Sequence, residues 1–399
     1  MVPASSPIHP LYDAMRTTVF EEMSGLAREA GAINLGQGYP EGDDPTELIE
    51  AAARAFREQS NQYPPCAGIA QLREAIAAFY ARRQGQAFDP AQIIVTSGAT
   101  EALACCVMAL VRPCDEVILF QPAYDAYAPM IRRCGGVPVS VHLKAPDWRY
   151  EADALEAAIT PATKAIMFND PHNPVGRATS AGERALLADA CIRHDLIAIC
   201  DDVWEDVRFD GSRHMSLAAE PGMAGRAVKI GSAGKLFGLT GWKTGWICAP
   251  PALAAGLMRA HQFLTYTTPP ALQWAAAEGL ALPNAWFDAQ QARWGASRAR
   301  LVAGLEATGF AVLPSAATWF ICIDLAASGI AVDDRTFALR GIAEAGVASI
   351  PLSALWEQGP GQGEEAPRHL ARLCFVKQDA ALDEAAARLA AFRQALIVQ

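Results

Sequence analysis

Between Ile93 and Lys235 the chain repeats one pattern: a short β-rich apolar run, a polar or glycine-rich turn, then an alanine- and leucine-rich helical stretch. Residues 93–96 run into Ser97-Gly98-Ala99-Thr100 and a helix-like segment at 101–111. Residues 116–120 lead to Gln121-Pro122-Ala123-Tyr124-Asp125, and 164–168 to Asn169-Asp170-Pro171-His172-Asn173-Pro174. Residues 196–200 lead to Asp201-Asp202, and 227–230 to Gly231-Ser232-Ala233-Gly234-Lys235. Strands alternating with helices imply an α/β fold with a mostly parallel sheet covered on both faces. Apolar residues make up 52% of the 399, ample for the large core this requires. In such sheets, ligands lie outside the carboxyl ends of the strands. The unusual polar residues fall at five consecutive strand exits. Turns need Gly, Pro and Asn in any case, so the residue types have to carry the argument.

After about residue 280 the texture changes. A long helical stretch at 283–305 is followed by segments at 317–325, 336–345 and 347–352, with a closing helix near 383–395. The expected organisation is a large domain over 36–280 and a smaller α+β domain over 281–399. An N-terminal segment, 1–35, packs on the small domain or lies across the cleft. Lys plus Arg is 33 against 43 for Asp plus Glu, a net charge of −10, so nucleic acid is not an expected partner. The N-terminus has neither a basic start nor an apolar stretch, so no secretory signal is expected. The longest apolar run, 102–111, falls well short of the roughly 18–20 residues that span a bilayer, which argues against a membrane partner. Ten cysteines are scattered from Cys66 to Cys374 with no C-x-x-C pair. That usage fits reduced, buried thiols in a cytoplasmic protein, with neither a disulfide framework nor a metal site.

Lys235 is the first residue to explain. Most lysines are solvated surface charges. This one follows a β-rich run and is flanked by Gly234 and Leu236-Phe237-Gly238, where an ammonium should be desolvated. Burial lowers a lysine pKa and supplies the neutral amine that forms a Schiff base. A carbonyl cofactor would also need an anion cradle. Gly98-Ala99-Thr100 opens a helix after a strand, where backbone N–H groups can hold a phosphate. Ser232 adds a hydroxyl donor. Lys243, in Gly241-Trp242-Lys243-Thr244-Gly245, is either a compensating charge or an ordinary turn lysine. Asp201 ends a buried apolar run, and a carboxylate emerging there needs a partner. That partner is either a helix end that it caps or a pyridinium nitrogen whose proton it holds. Tyr124 is placed to lay its ring on a cofactor face, and Asn173 to donate to a ring hydroxyl.

The segments NLGQGYP, NQYPPCAG, TSGATEAL, NDPHNPVG, GSAGK and GWKTGW occur in the order and spacing of class I pyridoxal-phosphate aminotransferases. The resemblance runs from about Ile33 to Lys377 and is nearest to the kynurenine/glutamine/methionine aminotransferase branch. It implies fold type I: a large domain with a mostly parallel, seven-stranded sheet flanked by helices, plus the smaller α+β domain. It also implies that Lys235 holds pyridoxal 5′-phosphate as an internal aldimine. Asp201 then matches the pyridinium partner, Asn173 the ring-hydroxyl donor and Tyr124 the stacking aromatic. Gly98, Ala99, Thr100, Ser232 and Lys243 match the phosphate site. Tyr63 matches a tyrosine that reaches the phosphate of the neighbouring subunit, which implies a homodimer. Arg372 matches the arginine that grips the substrate α-carboxylate, a task suited to its planar fork. Gly38 and Asn169 match residues lining the carboxylate site. Phe20, Tyr63 and Tyr266 align with the side-chain pocket, with Trp356 near it.

What the resemblance implies for activity is a ping-pong transamination, with Lys235 as general base and acid. An amino group moves from an amino acid with an aromatic, thioether or glutamine-like side chain to a 2-oxo acid. Aromatic walls favour such side chains, and no second basic residue marks a dicarboxylate pocket. The same lysine and cofactor also serve carbon–sulfur β-lyases that act on cysteine conjugates, and the sequence does not separate the two. A transcription regulator built on such a domain would need a basic winged-helix segment before it, which the acidic chain does not suggest. One position departs from the family. Where a tyrosine usually stands three residues after the aspartate, this chain has Trp204, whose indole N–H donates but neither accepts nor ionises. The internal aldimine is therefore expected to titrate at a different pH from that of a Trp204→Tyr variant, followed by visible absorbance. Superimposable titrations would contradict this.

Overall fold

The apolar runs form the central layer. The computed structural model describes residues 6–42, 44–357 and 366–398. Its main sheet has seven strands in the order Ile93–Thr96, Gly245–Cys248, Ala227–Ser232, Ile197–Asp201, Thr163–Asn169, Glu116–Gln121 and Val137–His142. All run parallel except Gly245–Cys248, which is antiparallel to both neighbours. The mostly parallel α/β architecture expected from the sequence is therefore present. Every residue of Ile93–Thr96 and Gly245–Cys248 is buried, as a sheet covered on both faces requires. The helix Gly98–Leu110 packs across Ala227–Ser232 and Gly245–Cys248, with Pro251–Leu264 behind it.

Two strands escape a reading of apolar runs, for identifiable reasons. Val137–His142 is an edge strand, only partly buried, and it contains Pro138; proline is tolerated at an edge and weakens the strand signal. Gly245–Cys248 is only four residues long and follows a glycine-rich turn. The helix expected at 101–111 begins earlier, at Gly98, and ends at Leu110.

A second, four-stranded antiparallel sheet has the order Ile350–Pro351, Leu370–Cys374, Phe320–Asp324, Ala311–Val312. The long helices Asn284–Glu306 and Asp379–Ile397 pack against each other beside it. The N-terminal helix Val19–Ala30 starts at a Thr18 cap, whose hydroxyl accepts from the Glu21 N–H, and ends at Gly31 in the left-handed region. Thr18 thereby satisfies one of the open donors of the first turn. Ile33–Asn34 then pairs in parallel with Val347–Ala348, which ties the start of the chain to its last third. All ten cysteines are free thiols. Among the described residues, no helix is long and apolar enough to cross a membrane.

The strand directions bring the loops together. Because Gly245–Cys248 runs backwards, it begins where its parallel neighbours end, with Gly245 opposite both Thr96 and Ser232. Asn169 likewise lies opposite Asp201. Below this edge lies a buried ionic cluster. Lys229 Nζ is 2.8 Å from Asp202 Oδ2 and 2.7 Å from Glu205 Oε2. The Tyr80 hydroxyl donates to Glu205 and accepts from the Trp246 indole N–H. Burial alone would raise the Asp202 pKa, but Lys229 and His214 hold it well below the usual carboxylate range. Buried charges are tolerated only when paired this closely.

Gly245 is fixed by space. A Cβ there would stand 2.6 Å from the Gly98 carbonyl carbon and 2.7 Å from the Ala99 nitrogen, both backbone atoms. Gly245→Ala is expected to lower stability by about 1–3 kcal/mol through overpacking. Gly241→Ala, whose added Cβ meets nothing within 4 Å, should leave the melting temperature nearly unchanged. Thermal melts of the two variants check this, and equal losses would contradict it.

Candidate active site

A cavity of about 430 Å³ opens at the strand ends. The second sheet closes it with Phe320 and Arg372, the N-terminal segment adds Thr18 and Phe20, and the loop just after it adds Gly38. Of the residues expected from the sequence, Phe20, Gly38, Gly98, Ala99, Thr100, Tyr124, Asn169, Asn173, Asp201, Trp204, Ser232, Lys235, Lys243 and Arg372 all line it. Loops far apart in sequence thus meet at one place.

Lys235 sits in the single turn Ala233–Leu236, directly after the Ala227–Ser232 strand. Its ammonium lies 4.9 Å from the Trp204 ring centre and 5.2 Å from that of Trp319. Burial pulls its pKa down to about 8, with Lys243 and Arg372 adding repulsion and Asp201 acting the other way. The neutral amine is therefore far more accessible near neutral pH than that of a solvated lysine.

Asp201 ends its strand almost fully buried. Its Oδ2 accepts a 2.5 Å hydrogen bond from the Tyr127 hydroxyl, while Oδ1 is buried without a partner. Burial pushes the carboxyl up to about 6, opposed by Tyr127 and the Val203 N–H and reinforced by Asp202. An unpaired buried acceptor is costly, so this oxygen calls for a donor, best a cationic one.

The corner expected from the sequence to cradle an anion is built on backbone. Gly98 has φ +78° and opens the 13-residue helix Gly98–Leu110. Lys243 is also left-handed, at φ +50°, and its Cε would stand 3.3 Å from a Cβ on Gly98. The glycine lets the lysine chain lie against the helix start, where positive backbone dipole and ammonium add.

Arg372, on the Leu370–Cys374 strand, is 1% exposed. Nη1 donates to Asn173 Oδ1 at 3.0 Å, Nη2 to the Gly36 carbonyl at 2.8 Å, and Nε is buried without a partner. Its guanidinium lies 3.8 Å from the Phe320 ring centre and 4.9 Å from that of Phe20. Burial lowers its pKa to about 10, so it stays cationic. Since guanidinium only donates, the Asn173 amide is oriented with its oxygen toward Arg372 and its NH₂ free for another acceptor.

Two residues have plainer roles in the geometry. Gly38 makes room for Phe320, whose ring carbon would be 2.4 Å from any added Cβ. Asn169 donates to the Asp201 carbonyl at 2.7 Å and accepts from the Asn173 N–H at 2.8 Å. It lines the cavity, yet these bonds make it a brace between two strand exits. Tyr63 and Tyr266 do not line the cavity. They meet edge to face on the surface, centroids 5.8 Å apart, with Tyr63 85% exposed. Trp356 stacks obliquely on His142 at 5.1 Å and lines a small neighbouring pocket with Tyr124.

The sequence reading missed Asp125, Tyr127, Trp319 and Phe320. Tyr127 had a local signal, since it stands three residues after Tyr124 as the chain turns into the helix Tyr127–Arg133. Trp319 and Phe320 had none, because they reach the site from the second sheet.

Most of the chain matches known proteins in the same sense. The family model for aminotransferase class I and II matches residues 30–389. A probable N-succinyldiaminopimelate aminotransferase of Mycobacterium tuberculosis is 45% identical, over 94% of this chain and 95% of its own length. The methionine aminotransferase of Escherichia coli is 37% identical over 94% and 95%. The solved structure of N-succinyldiaminopimelate aminotransferase from Mycobacterium tuberculosis superposes with a TM-score of 0.91, at 42% identity, covering 96% of this chain and 99% of that one. The chain belongs to the class I and II aminotransferases, enzymes that use pyridoxal phosphate to exchange amino groups between amino acids and 2-oxo acids.

The raised Asp201 pKa makes a testable statement about the protein without cofactor. The unfolded chain ionises this carboxyl near pH 4, the folded one near 6. Its contribution to stability is therefore complete below about pH 4 and lost as pH rises through about 6. Asp201→Asn apoprotein should be more stable than wild-type apoprotein near neutral pH, by on the order of 1–3 kcal/mol, and gain nothing below about pH 4. Denaturant melts across that range check the sign; a variant less stable near neutrality would contradict it.

Proposed function

We propose that Lys235 carries pyridoxal phosphate in this cavity and that the enzyme transfers amino groups from amino acids with bulky aromatic or thioether side chains to a 2-oxo acid. The observation that carries the reading is the pairing, in one cavity, of a desolvated lysine with a buried carboxylate whose second oxygen has no partner. The donor set fits the cofactor: an amine for the aldehyde, Asp201 Oδ1 for the ring N–H, and the Gly98 helix start with Ser232 and Lys243 for the phosphate. When bound, pyridoxal phosphate supplies a carbonyl for amine exchange and a protonated ring that accepts electron density from the substrate α-carbon.

The chain's own residues then divide the work. Arg372, packed against Phe320 and Phe20, offers the in-plane N–H donors that Asn173 and the Gly36 carbonyl leave open to the substrate α-carboxylate. Lys235, as a neutral amine, would take the α-proton and pass it to the former aldehyde carbon within the same half-reaction, and would run the transfer in reverse for the incoming 2-oxo acid. Asp201 keeps the ring nitrogen protonated, Asn173 offers its free NH₂ to the ring oxygen, and Tyr124 lies along the ring. Trp204 and Trp319 wall the lysine in and exclude water around it. Residues 36–280 serve as the cofactor domain and 281–399 as the smaller domain.

The exposed Tyr63–Tyr266 pair supports a homodimer in which Tyr63 reaches the phosphate of the neighbouring subunit. Exposed Phe263 and Leu264 near it, and Met108 on the cofactor-side helix, support burial of this face by a second copy.

A second substrate reading has its own support. A cleft of about 1200 Å³ shares Thr18, Tyr124 and Asp125 with the cavity and carries Arg16 and Arg133. Together with the N-succinyldiaminopimelate relative, this favours a long, acylated dicarboxylic amino donor. Rates of 2-oxo acid formation with methionine, phenylalanine, kynurenine, glutamine and N-succinyldiaminopimelate separate the two. The first reading expects the highest kcat/KM among the aromatic and thioether donors. Preference for the succinylated donor would replace it, and pyruvate with ammonia released from a cysteine conjugate in place of transfer would favour a β-lyase. Lys235→Ala is expected to lower transfer by about 10²–10⁴-fold or more; near wild-type turnover would contradict the assignment.

A further inference from the structure

The Asp201 carboxylate has one side-chain hydrogen bond, with the Val203 N–H acting on it in the same sense. The Tyr127 hydroxyl donates to Oδ2 at 2.5 Å, from a side chain that is 2% exposed at the start of the helix Tyr127–Arg133. Of the two Asp201 carboxylate oxygens, Oδ1 is the one buried without a hydrogen-bond partner. The same phenol ring stands edge-on to Tyr124, centroids 5.5 Å apart. A single residue therefore touches both the group proposed for the cofactor nitrogen and the group proposed for its face.

We infer that Tyr127 is a positioning residue for the reaction: its hydroxyl fixes the rotation of Asp201 so that Oδ1 faces the ring nitrogen, and it keeps that carboxylate the weaker base of the pair. The inference rests on the reading of Asp201 given above. The physical reason lies in the neighbourhood. Asp201 stands next to Asp202, whose negative charge is retained because Lys229 and His214 hold it. That charge raises the basicity of Asp201, as burial also does, while Lys235 from across the cavity lowers it only weakly. A hydroxyl donating to a carboxylate favours its ionised form. Burial and the neighbouring carboxylate hold the Tyr127 phenol far above its ordinary pKa, so it remains a donor throughout the working range.

Without that hydroxyl, Asp201 becomes the stronger base and the shared proton moves from the ring nitrogen to Oδ1. The pair is then two neutral partners instead of an ion pair, and the ring accepts electron density poorly. A tyrosine that only filled space would have no such effect, because phenylalanine would fill it as well.

The test uses the full-length enzyme loaded with pyridoxal phosphate carrying nitrogen-15 in the ring. Wild type should give a protonated-ring signal and Asp201→Asn an unprotonated one. Tyr127→Phe is expected to bind cofactor but to move the signal toward the unprotonated position. It should also slow the amine half-reaction by about tenfold or more, the scale of a lost hydrogen bond to a charged group. Tyr127→His, which restores a donor, should bring the signal part of the way back. If wild type is protonated, Asp201→Asn is not, and Tyr127→Phe keeps both the wild-type signal and the wild-type rate, the inference fails while the Asp201 reading stands. If wild type already lacks the ring proton, the Asp201 reading fails and takes this one with it. Loss of fold in both Tyr127 variants would assign the residue a structural role and overturn the inference.

Discussion

Asp201 is held at the end of a buried strand with one carboxylate oxygen bonded to Tyr127 and the other bonded to nothing. Burying a half-satisfied carboxylate is unfavourable by itself, and much of the surrounding architecture follows from keeping it there. The Ile197–Asp201 strand lies near the middle of the sheet, so the carboxylate cannot turn to water. Asp202, the next residue, would add a second uncompensated charge if Lys229 were not 2.8 Å away. Asn169 ties the Asp201 carbonyl to the neighbouring strand exit, so the carboxylate has little freedom to retreat. On the proposed reading, a protonated ring nitrogen would supply the donor that Oδ1 lacks and offset that cost.

The second constraint is the placement of Arg372. A guanidinium at 1% exposure needs its donors satisfied, and here Asn173 and the Gly36 carbonyl satisfy two of them. Phe320 and Phe20 cover its faces, and Gly38 lacks a side chain because the Phe320 ring takes that space. Three separated parts of the chain therefore meet at one side chain: the N-terminal segment, the strand exit at Asn173 and the second sheet. Pairing of Ile33–Asn34 with Val347–Ala348 fixes the first of these to the third. If Arg372 binds the substrate carboxylate as proposed, that recognition and the packing of the second sheet onto the first are one structural problem.

How much of this is legible in the sequence depends on whether the cause is local. Lys235, Asp201 and the Gly98 turn announce themselves because a charge or glycine at the end of an apolar run is anomalous within a few residues. The strand–turn–helix alternation likewise gives the parallel sheet. Tyr127 carries only the weak local signal of standing three residues after Tyr124, because a tyrosine opening a helix is ordinary and its partner is an oxygen on another strand. Trp319, which shares with Trp204 the wall around the lysine, approaches from the second sheet and leaves no local trace. Asn169 and Gly38 line the cavity as expected, and each also has a local task that the sequence does not show. The first proves to brace backbone and the second to make space. The strand Val137–His142, half exposed and carrying Pro138, lacks the continuous apolar run that betrays its neighbours. Tyr63 and Tyr266 face outward on this chain, so their part in any site depends on what covers them.

The central claim is that the amine of Lys235, and no other, holds the cofactor. Borohydride reduction of the protein loaded with pyridoxal phosphate, followed by peptide mapping, tests it most directly. The account predicts the mass of the reduced cofactor on the peptide containing Lys235, with none on those containing Lys229 or Lys243. Labelling of Lys243, or no fixed label at all after loading, would contradict it.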